Sequence, residues 1–376
     1  VFFSQISLEI LPLHPQKYKV NIEKYYYRLE KYILKYDKTF TFECGKTIDN
    51  LELCYHTSGE YCDNKKVIWI CHALTANSNP EEWWDLFVGK NKFFDTDKYF
   101  IICVNMLGSC YGSSGPASID VNAERKNKLT NRYLLDFPEV SVRDIVEAHK
   151  IVKNHIKIKA IDLIIGGSIG GFQALEWSIS EPELIKCSVL IACNARVSPW
   201  GTAFNESQRM AVLADNTFGE QKNIDGGKKG LEAARSIALL SYRSHEGYGI
   251  TQKEENVDTL FANKACSYQQ YQGKKLSNRF DAYSYYYLSK SIDSHNVGRG
   301  RGGVEKALAA ITAKTICIGI DSDVLFPVEE QKFLAKHINN AEYFEIKSQF
   351  GHDGFLLEWM QIQKILKEKC GERIKN

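Results

Sequence analysis

The feature that most restricts the fold is an alternation running through most of the chain. Short, unbroken apolar runs are separated by segments of helical periodicity. "KKVIWICHA" (Lys65–Ala73), "KYFIICVNM" (Lys98–Met106), "AIDLII" (Ala160–Ile165), "KCSVLIACNA" (Lys186–Ala195), "AKTICIGID" (Ala313–Asp321) and "AEYFEIKS" (Ala341–Ser348) read as strands. Between them, "SVRDIVEAHKIVKNHI" (Ser141–Ile156) repeats Val142, Ile145, Val146, His149 and Val152 at helical spacing. "IGGFQALEWSIS" (Ile169–Ser180), "PVEEQKFLAKHI" (Pro327–Ile338, with Pro327 in the first turn) and "GFLLEWMQIQKILKEK" (Gly354–Lys369) also read as helices. Strands without polar alternation are buried on both faces, which implies a mostly parallel sheet with helices on both sides. From about Arg196 to Arg301 the alternation stops, and the segment is helical, aromatic and polar without a buried strand. The reading is an α/β core domain formed by 1–195 and 301–376, interrupted by an inserted helical cap at 196–300. "GRGRGG" (Gly298–Gly303) at the end of the insert reads as a flexible junction rather than an RNA-binding tract.

Composition removes several classes of function. A formal net charge of +2 on 376 residues gives no electrostatic reason for nucleic acid or an anionic membrane as partner. No apolar run approaches the roughly 18 residues of a membrane-spanning helix. The opening "VFFSQISLEILPL" lacks a basic leader, and Ser4, Gln5, Ser7 and Glu9 interrupt it, so no signal peptide is expected there. The eleven cysteines have no CxxC pairs, and several lie within strand-like runs. Neither a disulfide framework nor a metal site is expected, and the cytoplasm is the natural compartment.

One element carries chemistry. Gly166-Gly167-Ser168-Ile169-Gly170 is a G-x-S-x-G sequence standing after a strand and before a helix. A serine with small neighbours in that position can form a sharp elbow that lifts its hydroxyl to the edge of the sheet. A glycine-rich turn with a serine that merely caps the helix is the structural alternative. A nucleophilic serine also needs a carboxylate and a histidine, in that order downstream. Asp323 follows the strand "KTICIGID" and His352 follows the next strand, so both fall at the carboxyl edge of the sheet. Asp321, still in the strand, reads as structural. His149 sits on a helix face, and His72 lies where an oxyanion-binding loop is expected.

Seven blocks in order extend the pattern: "CHALTAN" (Cys71–Asn77), "FFDTDKYFIICVNMLGSCYGSSGPASI" (Phe93–Ile119), "GGSIGGFQALEW" (Gly166–Trp177), "AFNESQR" (Ala203–Arg209), "RFDAYSYYYL" (Arg279–Leu288), "DSDVLFP" (Asp321–Pro327) and "GHDGFLLE" (Gly351–Glu358). Over nearly its whole length the chain resembles the homoserine O-acetyltransferases of the α/β-hydrolase superfamily. The resemblance implies an α/β-hydrolase fold with Ser168 as nucleophile, Asp323 as triad acid and His352 as general base. It also implies an oxyanion hole from the Leu74 and Ile169 N–H groups, and Arg209 and Asp353 as the residues holding the amino-acid substrate. Acetyl-CoA would be co-substrate, L-homoserine the acceptor and O-acetyl-L-homoserine the product on the way to methionine. No tightly bound cofactor is implied, and a homodimer formed through the cap is.

The chemistry fits those residue types. An arginine can clasp the carboxylate of a zwitterion with two parallel charge-assisted bonds, while an aspartate takes its ammonium group. Three positions depart from the family pattern: Ser109 and Tyr283 where glycine and asparagine are common, and Gly354 where alanine is frequent. Ser109 stands in a loop expected to line the acyl pocket. Serine acetylation and homoserine succinylation are the nearest alternatives, and a water-using carboxylesterase is the more distant one.

Overall fold

A computed structural model describes residues 29–122, 130–220, 224–261 and 263–371. The opening stretch read for a signal peptide lies outside the described residues. An eight-stranded sheet organises the rest, in the order β1-β4-β6-β5-β7-β8-β9-β10. Its strands are β1 (Glu30–Tyr36), β4 (Leu51–Thr57), β5 (Val67–Cys71), β6 (Phe100–Val104), β7 (Leu163–Gly167), β8 (Cys187–Ile191), β9 (Lys314–Ile320) and β10 (Ala341–Ile346); β2 (Phe40–Thr41) and β3 (Thr47–Ile48) form a small separate ribbon. β6 through β10 run parallel, whereas β1 and β4 join antiparallel at one edge.

Every residue of β5, β6, β7 and β8 is buried, which explains their unbroken apolar runs. Alternate side chains feed two cores. Val67, Trp69 and Cys71 face one, Ile68 and Ile70 the other. A short helix α1 (Pro80–Trp83) follows β5; helices α2 (Val142–Ile156), α3 (Ile169–Ser180) and α10 (Val328–His337) cover the first face, while α12 (Trp359–Lys369) covers the second. α2 is closed at its start by a capping box between Ser141 and Asp144, and ends at left-handed Lys157.

Three local expectations are corrected. Pro327 is the N-cap of α10 rather than a first-turn residue. The last expected helix is two, α11 (Gly354–Leu357) and α12, broken at Glu358. Phe355 through Met360 all line one cavity, which a straight helix could not achieve with six consecutive residues. β1 and β4 extend the sheet beyond the expected strands. β1 is half exposed and pairs only at the edge, so its apolar signal is weak.

Between β8 and β9 the described residues carry helices and no strand of the large sheet. These are α4 (Pro199–Leu213), α5 (Lys228–Tyr242), α6 (His245–Thr251), α7 (Lys264–Ser277), α8 (Ala282–Asp293) and α9 (Val304–Ala309). The excursion is pinched at its base: Val197 N–H donates to His295 O at 3.1 Å and Val297 N–H to Ala195 O at 3.0 Å. The "GRGRGG" loop that follows is no flexible junction. Arg299 forms a two-pronged pair with Glu43 at 3.0 and 2.9 Å, and Arg301 pairs with buried Glu176. Its arginines fasten the loop to the core.

Candidate active site

β7 delivers the chain to Ser168 at φ 58° and ψ −130°, a region that side-chain-bearing residues avoid. The turn is held by its surroundings. Ser168 N–H donates to Ile191 O at 3.0 Å, and Ser168 O accepts from Phe172 N–H at 3.2 Å. Glycine is required on both sides because strand and helix backbones nearly touch. A Cβ on Gly166 would lie 2.2 Å from Gly170 O, and one on Gly170 2.3 Å from Cys71 O. The Ser168 side chain makes no capping bond to α3, which disposes of the capping alternative.

Asp323 and His352 meet behind the serine. Asp323 Oδ1 accepts the Leu325 and Phe326 N–H groups at 2.8 and 3.0 Å, leaving Oδ2 2.7 Å from His352 Nδ1. The carboxylate therefore fixes the ring, and Nε2 on its opposite side is buried without a protein partner among the described residues. Phe326 and Phe355 pack edge-on against the imidazole. Burial alone would depress the His352 pKa, but the Asp323 charge and hydrogen bond, with a contribution from Asp353, raise it above the ordinary value. Gly351, at φ 63°, brings this turn against the Arg243 backbone, where a Cβ would sit 2.8 Å away.

Ser168, His352 and Leu74 line one cavity of about 440 Å³. Ile169 is the first residue of α3, so its N–H has no acceptor within the helix. Neither it nor the Leu74 N–H donates to a protein acceptor among the described residues. Leu74 lines the same cavity as Ser168 and Ile169 follows Ser168 in sequence, so both N–H groups remain available to a developing oxyanion.

The two residues expected to hold substrate fare differently. Asp353 lines the cavity, with Oδ2 3.1 Å from Arg243 Nε, and its side chain does not cap α11. Arg209 is elsewhere. Its guanidinium is buried within the helical insert, 2.6 Å from Asp293 Oδ2 and 2.7 Å from Glu206 Oε2, with a bond to Ser289 Oγ. It is a structural ion pair and does not reach the cavity wall, so the expected substrate role is corrected. Arg235, Arg243 and Arg279 are the arginines in that wall. Arg235 stands over the Tyr242 ring at 5.4 Å and forms no ion pair or hydrogen bond among the described residues. Spacing alone does not single it out: Arg235, Leu239 and Tyr242 recur at helical spacing on the inward side of α5, as residues of any packed helix do.

Other candidates resolve into structure. His72 is buried and neutral, its pKa lowered to about 4 by burial. Nδ1 donates to Ala73 O, and Nε2 accepts Met106 N–H at 2.9 Å. It ties the Leu74 loop to the loop after β6. His149 is buried between Trp69 and Trp177. Asp321 accepts Ser348 N–H and pairs with Lys347. Ser109 is buried and is not part of the cavity wall, so the expectation that it shapes an acyl pocket is corrected.

A serine on a strained strand–helix turn, sharing one cavity with a buried acid–imidazole pair, is the arrangement of the α/β-hydrolase class. Residues 66–358 match the family model described as the alpha/beta hydrolase fold. Within that class, a homoserine O-acetyltransferase of Cyclobacterium marinum is 44% identical over 331 residues, 88% of this chain and 92% of its own. The chain belongs to the homoserine O-acetyltransferase family. The crystal structure of homoserine O-acetyltransferase from Bacillus anthracis superposes with a TM-score of 0.81 at 23% identity, covering 93% of this chain and 98% of that one. Esterase E22 does so with 0.80 at 22% identity, covering 91% and 100%. At those identities the likeness speaks to the fold alone.

Proposed function

We propose that the chain transfers the acetyl group of acetyl-CoA to the hydroxyl of L-homoserine, giving O-acetyl-L-homoserine and CoA through an acyl-enzyme on Ser168. Ser168 Oγ attacks the thioester carbonyl while His352 Nε2 takes its proton, and Asp323 stabilises the imidazolium. The Leu74 and Ile169 N–H groups receive the tetrahedral oxyanion. Collapse breaks the C–S bond, and the CoA sulfur leaves with the proton from His352. The homoserine hydroxyl then loses its proton to His352 and attacks the acetyl-serine carbonyl; collapse breaks the bond to Ser168 Oγ, which takes the proton back from His352, and the ester departs.

The observation that carries this reading over hydrolysis is that two charged groups of the cavity wall suit the two ends of a zwitterion. Arg235, without an ion-pair partner among the described residues, suits the acceptor's carboxylate, and Asp353, with Oδ2 3.1 Å from Arg243 Nε, suits its ammonium group. A water-using esterase needs neither. Clasping both ends presents the hydroxyl to the acyl-serine. The reading includes no tightly bound cofactor, a cytoplasmic setting and a helical cap at 196–300 over the core. It also includes a homodimer formed through that cap, supported by Met210, Leu213 and Leu240 exposed on α4 and α5.

The test crosses acetyl-CoA and succinyl-CoA with homoserine, serine and water, following CoA release. Rapid release is expected only with acetyl-CoA and homoserine together. Equal turnover without an amino acid would make the protein an esterase, and preference for succinyl-CoA or serine would reassign donor or acceptor.

A further inference from the structure

Arg279 lies where the helical insert, the Leu74 loop and the loop after β6 converge. Its Nη1 donates to Thr75 O at 2.6 Å and to the Tyr111 hydroxyl at 2.6 Å, and Nη2 reaches Thr75 Oγ1 at 3.4 Å. The backbone around it is fixed as well. Arg279 N–H donates to Leu276 O, closing the end of α7, and two residues on Asp281 caps α8 through Ser284 N–H at 2.7 Å. Tyr111 packs edge-on against Phe280. The guanidinium is therefore anchored from the insert side and spends its donors on the core side.

Thr75 follows Leu74 directly. The peptide carbonyl that Arg279 grips belongs to the residue after the one to which the proposed mechanism assigns an oxyanion-binding N–H. The loop is held on either side of Thr75: His72 ties it from below, Gln173 Nε2 donates to His72 O at 3.2 Å, Ala76 N–H bonds to Ala73 O, and Trp83 Nε1 donates to Asn77 O at 2.9 Å. At Thr75 itself the hydrogen bonds among the described residues come from Arg279. A donor contributes fully only when it lies about 2.7–3.1 Å from the oxyanion, so a shift of a few tenths of an ångström in the loop matters.

We infer that Arg279 is a positioning residue for acylation: by clamping Thr75 from the helical insert it sets the Leu74 N–H for the tetrahedral intermediate, so the insert takes part in the chemistry as well as in substrate binding. The inference rests on the acyl-serine reading above. It predicts a rate effect that does not depend on the charge of the donor. If Arg279 instead bound a phosphate of CoA or the carboxylate of homoserine, its loss would weaken binding of those anions and leave a neutral donor untouched.

The experiment uses 4-nitrophenyl acetate, which has no anion to bind, as acyl donor to the full-length protein. Pre-steady-state acylation is measured for the wild type, Arg279→Lys, Tyr111→Phe and Ser168→Ala. Thermal melts establish that each variant is folded. Lysine keeps the charge but loses the planar fork, and Arg279→Lys is expected to acylate about 10- to 100-fold more slowly. Tyr111→Phe, which removes one of two restraints on the guanidinium, is expected to show a smaller loss in the same direction. In both, affinity for CoA measured by calorimetry should stay within about twofold, well inside the tenfold that 1.4 kcal/mol represents. Wild-type acylation by the neutral ester in folded Arg279→Lys, or a loss confined to CoA affinity, would overturn the inference. Acylation persisting in Ser168→Ala would instead overturn the acyl-serine reading, so the two failures are distinguishable.

Discussion

At Asp323 and His352 two opposing effects act on one imidazole, and their balance sets a pH dependence. Burial favours neutral His352, while the Asp323 charge favours the protonated ring and prevails. A general base works only when neutral, so acylation by acetyl-CoA should fall off with acid around a midpoint above that of a free imidazole, about 6.5. Asp323→Asn removes the charge and leaves the burial, so the midpoint should move to lower pH while the plateau drops by about 10³- to 10⁴-fold. A pH–rate profile of the variant with an unmoved or raised midpoint would contradict this reading of the pair.

Arg235→Lys keeps the charge and loses two-pronged recognition, and should lower turnover with homoserine by about 10- to 1000-fold while acetyl-enzyme still forms from acetyl-CoA. Arg209→Lys should leave both half-reactions close to the wild type, because its partners are Asp293 and Glu206, not substrate. Single-turnover measurements of each half-reaction separate the outcomes. A second half-reaction broken in Arg209→Lys and intact in Arg235→Lys would reverse the assignment.

Among the elements, the elbow is the most demanding. Gly170→Ala would force a Cβ to within 2.3 Å of Cys71 O, backbone that cannot rotate away. Overpacking of this kind costs about 1–3 kcal/mol. By contrast Gly249, exposed in α6 with nothing within 4 Å of its Cβ position, should accept alanine with a gain of about 0.5–1 kcal/mol. Urea melts of the two variants should move in opposite directions, and equal melts would mean that β5 and α3 are not held as close as described.

The same elements show what the sequence carried. β5 through β8 were legible because burial on both faces writes itself as an unbroken apolar run. Ser168, Asp323 and His352 were legible because their order and their places at strand ends are dictated by the fold. β1 was not, since a half-exposed edge strand leaves only a weak alternation. Arg209 and Arg235 could not be ranked from spacing, because both lie on helices and only tertiary packing decides which guanidinium meets carboxylates and which meets a cavity. The pinning of "GRGRGG" depends on Glu43 and Glu176, more than a hundred residues away in sequence.

For the whole molecule, the insert both roofs the cavity and offers an apolar exterior. Met210 and Leu213 are 61% and 53% exposed on α4, more than half of each side chain in water and close enough along the helix to form one face. Replacing both by aspartate should convert a dimer into a monomer in light scattering, with the fold retained by circular dichroism. A wild-type protein that scatters as a monomer at micromolar concentration would remove the dimer from the account.

Passage of acetyl through Ser168 to homoserine can be followed by a pulse and chase. The protein is mixed with acetyl-CoA alone, stopped, and its peptides are read by mass spectrometry; a second portion is chased with homoserine before stopping. One acetyl group is expected on the peptide containing Ser168, cleared by the chase with matching appearance of O-acetyl-L-homoserine, and no label in Ser168→Ala. Label on a cysteine, or label on Ser168 that water clears as fast as homoserine does, would contradict it.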